Sequence, residues 1–128
     1  MRVQIKATEM ALTPAIKDYA EKKVLSLEKF FKGSGEVLAQ IEVGKTTRHH
    51  KSGNVFRAEI SIRADGQNYY AVSEKDDLYA AIDEVKDEMA HEIVSSKSKK
   101  ETLFRRGGAK IKAMLKRLTF RKNIWKKF

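Results

Sequence analysis

The chain has 128 residues, 41% of them hydrophobic and 34% charged, enough for one packed domain and a tail but not for two independent cores. It holds no cysteine, which excludes disulfides, thiolate metal sites and thiol nucleophiles, and it holds no apolar run of about 18 residues that would cross a membrane. The formal net charge is +10, an excess that points to a polyanionic partner, either nucleic acid or an anionic membrane surface.

In chain order, Val3, Ile5 and Ala7 alternate with Arg2, Gln4 and Lys6, a period of two that predicts a half-buried strand over 2–8 rather than a signal-peptide core. Thr13 and Pro14 read as an N-cap and a first helical residue. Ile16, Ala20, Val24, Leu27 and Phe31 then form one apolar stripe on a helix of about five turns, which Gly33-Ser34-Gly35 ends. Val37, Ala39, Ile41 and Val43 alternate, as do Phe56, Ala58, Ile60, Ile62 and Ala64. A glycine-bounded basic loop, residues 44–53, lies between them. Asp65-Gly66 is a hairpin signal, and Asn68-Tyr69-Tyr70-Ala71-Val72 is the returning strand. A second helix starts near Asp76 or Asp77 and carries Leu78, Ile82, Val85, Met89 and Ile93 on one face. It is expected to fade into Ser95-Ser96-Lys97-Ser98-Lys99-Lys100.

The order β-α-β-β-β-α, with Gln4, Lys6, Gln40, Glu42, Arg57, Glu59 and Arg63 along one strand face, predicts an α+β fold. Its two layers are a four-stranded sheet and two helices covering one face. Residues 1–100 hold 17 basic and 16 acidic side chains and form the expected domain. Residues 101–128 hold 10 basic and one acidic and form a separate basic tail. Arg105-Arg106-Gly107-Gly108 reads as a hinge. Beyond it Ile111, Met114, Leu115 and Leu118 fall on one helical face, with Phe120, Trp125 and Phe128 among further cations. A helix so short and so self-repelling is expected to order only on its partner.

Little supports an enzyme. No glycine-rich phosphate loop, GxSxG or HExxH motif occurs, and no catalytic residue, metal or cofactor is expected. His49-His50 reads as two exposed imidazoles in a cationic loop, with a phosphate or base contact as the alternative. Asp76 and Asp77 read as caps, and Asp83, Glu84, Asp87 and Glu88 as a solvated face, with a carboxylate cluster for metal or acid/base work as the alternative. Tyr69, Tyr70 and Tyr79 are read as packing groups rather than base-stacking platforms. Double-stranded-RNA-binding domains grip phosphate with a lysine-rich helix start, but here that start is Ser73-Glu74-Lys75-Asp76-Asp77, which repels it. No ribonucleoprotein aromatic motif and no GxxG loop occurs either. Cationic recognition remains, through Lys22, Lys23, Lys29 and Lys32 beside the first helix, Lys97, Lys99 and Lys100 closing the second, and the tail.

Asp77-Leu78-Tyr79-Ala80-Ala81-Ile82-Asp83, preceded by Asp65-Gly66 and Tyr70-Ala71-Val72, resembles the D-[LM]-Y-A-A-I-D signature of the ribosome hibernation promoting factor family. Thr13-Pro14-Ala15 and Leu27-Glu28-Lys29-Phe30 fit the same family, and the resemblance covers about residues 1–100. It implies a non-catalytic factor that binds the small ribosomal subunit at the decoding region. There it would block the mRNA channel and tRNA sites in stationary phase or stress, by steric occupancy and phosphate contacts. The implied partners are the small subunit, its rRNA and the whole ribosome, with no membrane, and a protein monomeric off the ribosome. The expected rRNA contacts are Lys22, Lys23, Lys29, Arg48, Lys51, His91, Lys97, Lys99, Lys100, Arg105, Arg106, Lys110, Lys116 and Arg117. Family members carry dense Arg and Lys in the final turns of the second helix, whereas Val94 and Ser95 replace basic residues here and His91 stands where Arg is common. Long members have a separate dimerisation domain, and the basic 28-residue segment here looks instead like a short form with an unusual tail. A different class of reading makes that tail a membrane-surface or nucleoid anchor.

Overall fold

A computed structural model of the chain describes residues 1–46 and 55–119, with side chains described through residue 99. The elements are β1 (Arg2–Thr8), α1 (Pro14–Leu25), β2 (Val37–Thr46), β3 (Val55–Ala64), β4 (Gln67–Lys75) and α2 (Leu78–Thr119), with a 3₁₀ turn at Glu28–Phe31. The sheet order is β1-β2-β3-β4, parallel between β1 and β2 and antiparallel elsewhere. A parallel pair needs a crossover, and α1 supplies it. Both helices lie on one face, so the expected two-layer α+β architecture is the one observed.

Local chemistry sets the joints. The Thr13 hydroxyl oxygen accepts from the Ile16 N–H at 3.3 Å, and Asp77 accepts from the Ala80 N–H at 3.0 Å, so each helix begins on the cap its sequence announces. Asp65 and Gly66 have φ of 54° and 76°, the left-handed pair of a two-residue hairpin whose twist matches its strands. At Gly44 a Cβ would stand 3.1 Å from the Thr8 carbonyl oxygen, so glycine lets the parallel pair close there without displacing the β1 backbone.

Alternate strand residues seal the covered face. Ile41, Ile60 and Ile62 meet Val24 and Leu27 from the α1 side and Ile82, Val85, Met89 and Ile93 from α2, all essentially without solvent contact. At roughly 1.5–3 kcal/mol for each fully buried aliphatic side chain, this layer supplies most of the drive to fold.

Two helix ends differ from the sequence expectation. The first helix stops at Leu25 instead of running to Phe31. The Ser26 hydroxyl donates to the Lys23 carbonyl at 2.6 Å and the Leu27 N–H donates to the Val24 carbonyl at 3.0 Å. A serine that competes for helix carbonyls favours this tightening, and the 3₁₀ turn then carries both Leu27 and Phe31 into the core. The second helix does not fade at Ser95–Lys100 but runs to Thr119, across Gly107-Gly108. No proline interrupts it. Each glycine costs only about 1 kcal/mol relative to alanine, and extending a helix already nucleated against a sheet needs no new nucleus. Residues 101–119 are therefore a continuation of α2 rather than a helix of their own.

Candidate nucleic-acid interface

The seam between α1 and α2 is built by the signature stretch. Asp77 caps α2, while Leu78, Ala81 and Ile82 are buried. Tyr79 sets its ring edge-on to Tyr19 with centroids 4.8 Å apart. Asp83 accepts the Tyr19 hydroxyl at 2.5 Å and pairs with Lys23 at 3.1 Å. This hydrogen bond to Asp83, together with burial, pushes the Tyr19 phenol up to about 12. The same bond, reinforced by Lys23, holds the Asp83 carboxyl below its ordinary range. Asp83 is thus a seam residue, not a member of a merely solvated face, and Lys23 is largely neutralised by it.

Farther along the seam the cations are held differently. The Lys97 ammonium donates to the Phe30 carbonyl and lies 5.1 Å from the Phe31 ring centroid. Lys29 stands 5.4 Å from the Phe30 ring centroid. Aromatic faces attract a cation without cancelling its charge, and among the described residues neither lysine has a carboxylate partner. Lys22 is exposed on the last turn of α1. The structure thus brings Lys22, Lys23, Lys29 and Lys97 to the α1 side of the helical layer.

His91 is not among them. It lines a groove of about 440 Å³ with Tyr70, Ala71, Glu84, Asp87, Glu88 and Glu92, on the β4 side of α2. Lys75 pairs with Glu84 at 2.6 Å in the same region, which lowers the Glu84 carboxyl and raises the Lys75 ammonium. Lys99 lies about 200° around the helix from Lys97, so these near neighbours in sequence address different sides. Lys100, Arg105, Arg106, Lys110, Lys116 and Arg117 occupy backbone positions along the continuation of α2. Arg48 and Lys51 lie outside the described residues, as do His49, His50, Phe120, Trp125 and Phe128.

Among the described residues the arrangement offers cations on a two-helix surface, and comparison with known proteins gives the chain a family. The family described as Sigma 54 modulation protein / S30EA ribosomal protein matches residues 3–101. The chain belongs to that family. Among curated relatives, the ribosome hibernation promoting factor of Klebsiella oxytoca is 29% identical over 77% of this chain and 96% of its own length. The ribosome hibernation promotion factor of Staphylococcus aureus is 27% identical over 77% of this chain but only 50% of its own length. The solved N-terminal domain of Thermus thermophilus Protein Y superposes with a TM-score of 0.61 at 29% identity, covering 73% of this chain and 96% of that one. The S30EA match spans all four strands, α1 and the part of α2 that packs on the sheet; residues 102–128 lie beyond it.

Reasoning from sequence placed Tyr69, Tyr70 and Tyr79 together as packing residues, but their environments differ. Tyr69 is buried at 7% exposure, Tyr79 meets Tyr19 edge-on, and Tyr70 is 53% exposed on the open face of the sheet. Adjacent residues of a strand point to opposite faces, so Tyr69-Tyr70 already required one ring on the polar side. Arg2 and Arg63 share that face and were likewise absent from the expected contacts.

Proposed function

We propose that this S30EA family member is a ribosome-binding translation regulator that acts without catalysis. In this reading residues 1–100 form the ribosome-binding domain, which lodges in the decoding region of the small subunit and occupies the mRNA and tRNA sites. Residues 101–128 form a basic arm that adds phosphate contacts. The protein works in the cytoplasm under stress and is monomeric off the ribosome. Family membership supports the ribosomal partner. The observation that carries the mode of binding is the pair Lys29 and Lys97, both aimed by aromatic rings and neither neutralised by a described carboxylate. No helix of the described residues is long and apolar enough to cross a membrane.

Binding of the full chain to purified small subunits, with translation in a cell-free extract and chemical probing of decoding-region nucleotides, tests the proposal. Saturable binding, arrested translation and protection of those nucleotides are expected. Unimpeded translation with no protection would overturn it. The arm is tested by changing Arg105, Arg106, Lys110, Lys112, Lys116 and Arg117 to Gln in the full chain. If all six meet phosphates, the logarithmic salt slope falls by about 5, which is about 10³-fold in affinity between 50 and 200 mM salt, taking duplex DNA as the guide. An unchanged slope removes the arm from the interface, and tight binding to anionic vesicles instead would redirect it to a membrane surface.

A further inference from the structure

The uncovered face of the sheet has a chemistry that the helix-side reading does not use. Strand register sets Arg2, Leu38, Arg63 and Asn68 in one row across the four strands, and Gln4, Gln40, Ser61 and Tyr70 in the next. Together they form a concave surface of about 700 Å³, lined among others by Arg2, Gln40, Ser61, Arg63, Asn68 and Tyr70. Within the paired rows the carboxylates of this face, Glu42, Glu59 and Glu74, sit toward its other end, while Glu36 and Asp65 flank the arginine row. Glu42 accepts the Thr8 hydroxyl at 2.6 Å, and Glu59 pairs with Arg57 at 2.9 Å. Glu59 is four strand positions from Arg63, about 13 Å, beyond the roughly 8 Å screening length of physiological salt. Among the described residues Arg63 has no carboxylate partner. Arg2 has one, Glu36 at 3.2 Å, with both side chains largely in water at 77% and 63% exposure, a pairing too weak to compete with phosphate.

We propose that the Arg2–Arg63–Tyr70 end of the open sheet is a second contact for single-stranded RNA, with one base stacked on Tyr70. An exposed ring offers a sequence-tolerant platform for a base, amides and a hydroxyl beside it offer donors and acceptors to the base edge, and arginines take the phosphates. Tyr70 and Arg2 are three strands apart, about 14 Å, so the strand runs across the sheet rather than along it. Its direction is fixed by charge. Beyond Tyr70 lies the acidic groove of Glu84, Asp87, Glu88 and Glu92, which turns the phosphates toward β1. A duplex, whose bases are already stacked, cannot use the tyrosine, so the site selects an unpaired base. This contact lies on the layer opposite the helical lysines and goes beyond the ribosome reading.

The experiment uses the full chain and a short 4-thiouridine-containing RNA oligonucleotide, with photocross-linking mapped by peptide mass and affinity followed by fluorescence anisotropy. A cross-link within residues 64–75 is expected. Tyr70→Ala should lose it and weaken binding by about 10-fold, a typical loss for one stacked base, while Tyr70→Phe should keep both. Arg2→Gln with Arg63→Gln should lower the salt slope by about 1.4, two phosphate contacts on a single strand. Circular dichroism controls for folding, and exposed Tyr70 tolerates truncation. Cross-links confined to other peptides, or equal affinity of Tyr70→Ala and the unaltered chain, would overturn the proposal. Failure to bind the oligonucleotide even at low salt would also overturn it and leave the face to a protein partner. Lys22→Gln with Lys29→Gln should weaken small-subunit binding yet leave the cross-link in place. In the unaltered chain, absence of subunit binding with the cross-link present fails the ribosome reading alone, and absence of the cross-link with subunit binding intact fails this one.

Discussion

The two faces of this sheet come from the same strands by alternation, yet they carry different kinds of information. The covered face is apolar from Val37 to Ile62 and largely buried under α1 and α2, with Phe56 and the β1 residues Val3, Ile5 and Ala7 partly exposed. The open face is largely polar, with Arg2 and Arg63 toward one end and Glu42, Glu59 and Glu74 toward the other, where Arg57 pairs with Glu59. On the covered side a substitution changes whether the chain folds; on the open side and the helix exteriors it changes what the folded chain attracts. The Asp77–Asp83 stretch belongs to the first kind, because Leu78, Ala81 and Ile82 seal the core while Tyr79 and Asp83 bind α2 to α1. That stretch thus acts through packing, while the groups proposed for RNA lie elsewhere.

The sharpest break of this comparison is at Ile82. Its side chain is fully buried, and Ile82→Ala should lower unfolding free energy by about 2–5 kcal/mol, read by urea denaturation. Gln40→Ala, on the open face, should change it by about 0.5 kcal/mol or less. Similar losses at both positions would show that the open face is also covered. The next effect compares the two flanks of α2. Lys22→Gln with Lys29→Gln should lower the salt slope of small-subunit binding by about 2, whereas His91→Gln with Lys99→Gln should leave it nearly unchanged, because the first pair lies on the α1 side and His91 lies among carboxylates. The reverse ranking would move the interface to the β4 side.

Much of this was legible in sequence. Period-two alternation gave the four strands, Thr13-Pro14 and Asp77 gave the helix starts, and Asp65-Gly66 gave the hairpin, because each is a local signal with a local cause. What was not legible required three-dimensional neighbours. The stripe from Ile16 to Phe31 fits a single helix, and only the Ser26 hydroxyl on the Lys23 carbonyl shows why the last turn tightens. The acidic run in α2 reads as one solvated face until Tyr19 is seen to reach Asp83 and Lys75 to reach Glu84. The basic residues read as one set by composition, but helical rotation separates Lys97 from Lys99 and places His91 against Glu88 and Glu92. Charge counts carry no direction, and direction decides an interface.

A smaller effect tests the helix start. Asp77→Ala removes the acceptor of the Ala80 N–H and should cost about 1 kcal/mol, measurable as a shifted urea midpoint with an unchanged slope. Affinity for small subunits should stay the same, since the cap is on the folding side of the comparison. A variant equally stable but weaker in binding would place Asp77 in the interface instead.

The smallest effect, and the one with the most specific signature, is at the seam between the helices. The Asp83 carboxyl is held below its ordinary range by the Tyr19 hydroxyl, with Lys23 reinforcing it. Its contribution is therefore complete above the unfolded value near 4 and is lost as pH falls through the lower folded value. Tyr19 runs the other way. Raised to about 12 by the same bond, it contributes fully below pH of about 10 and loses that contribution as pH climbs toward the folded value. Asp83→Asn should flatten both limbs of the stability profile at once and return the Tyr19 phenol toward 10 in an ultraviolet titration. The change at neutral pH should be small, on the order of 1 kcal/mol or below, because the Lys23–Asp83 pair keeps substantial solvent contact. Acid and alkaline limbs unaltered by the substitution would mean that packing, not the Tyr19–Asp83–Lys23 bonds, joins α1 and α2. Lys23 would then carry its full charge outward and join Lys29 and Lys97 as a phosphate contact.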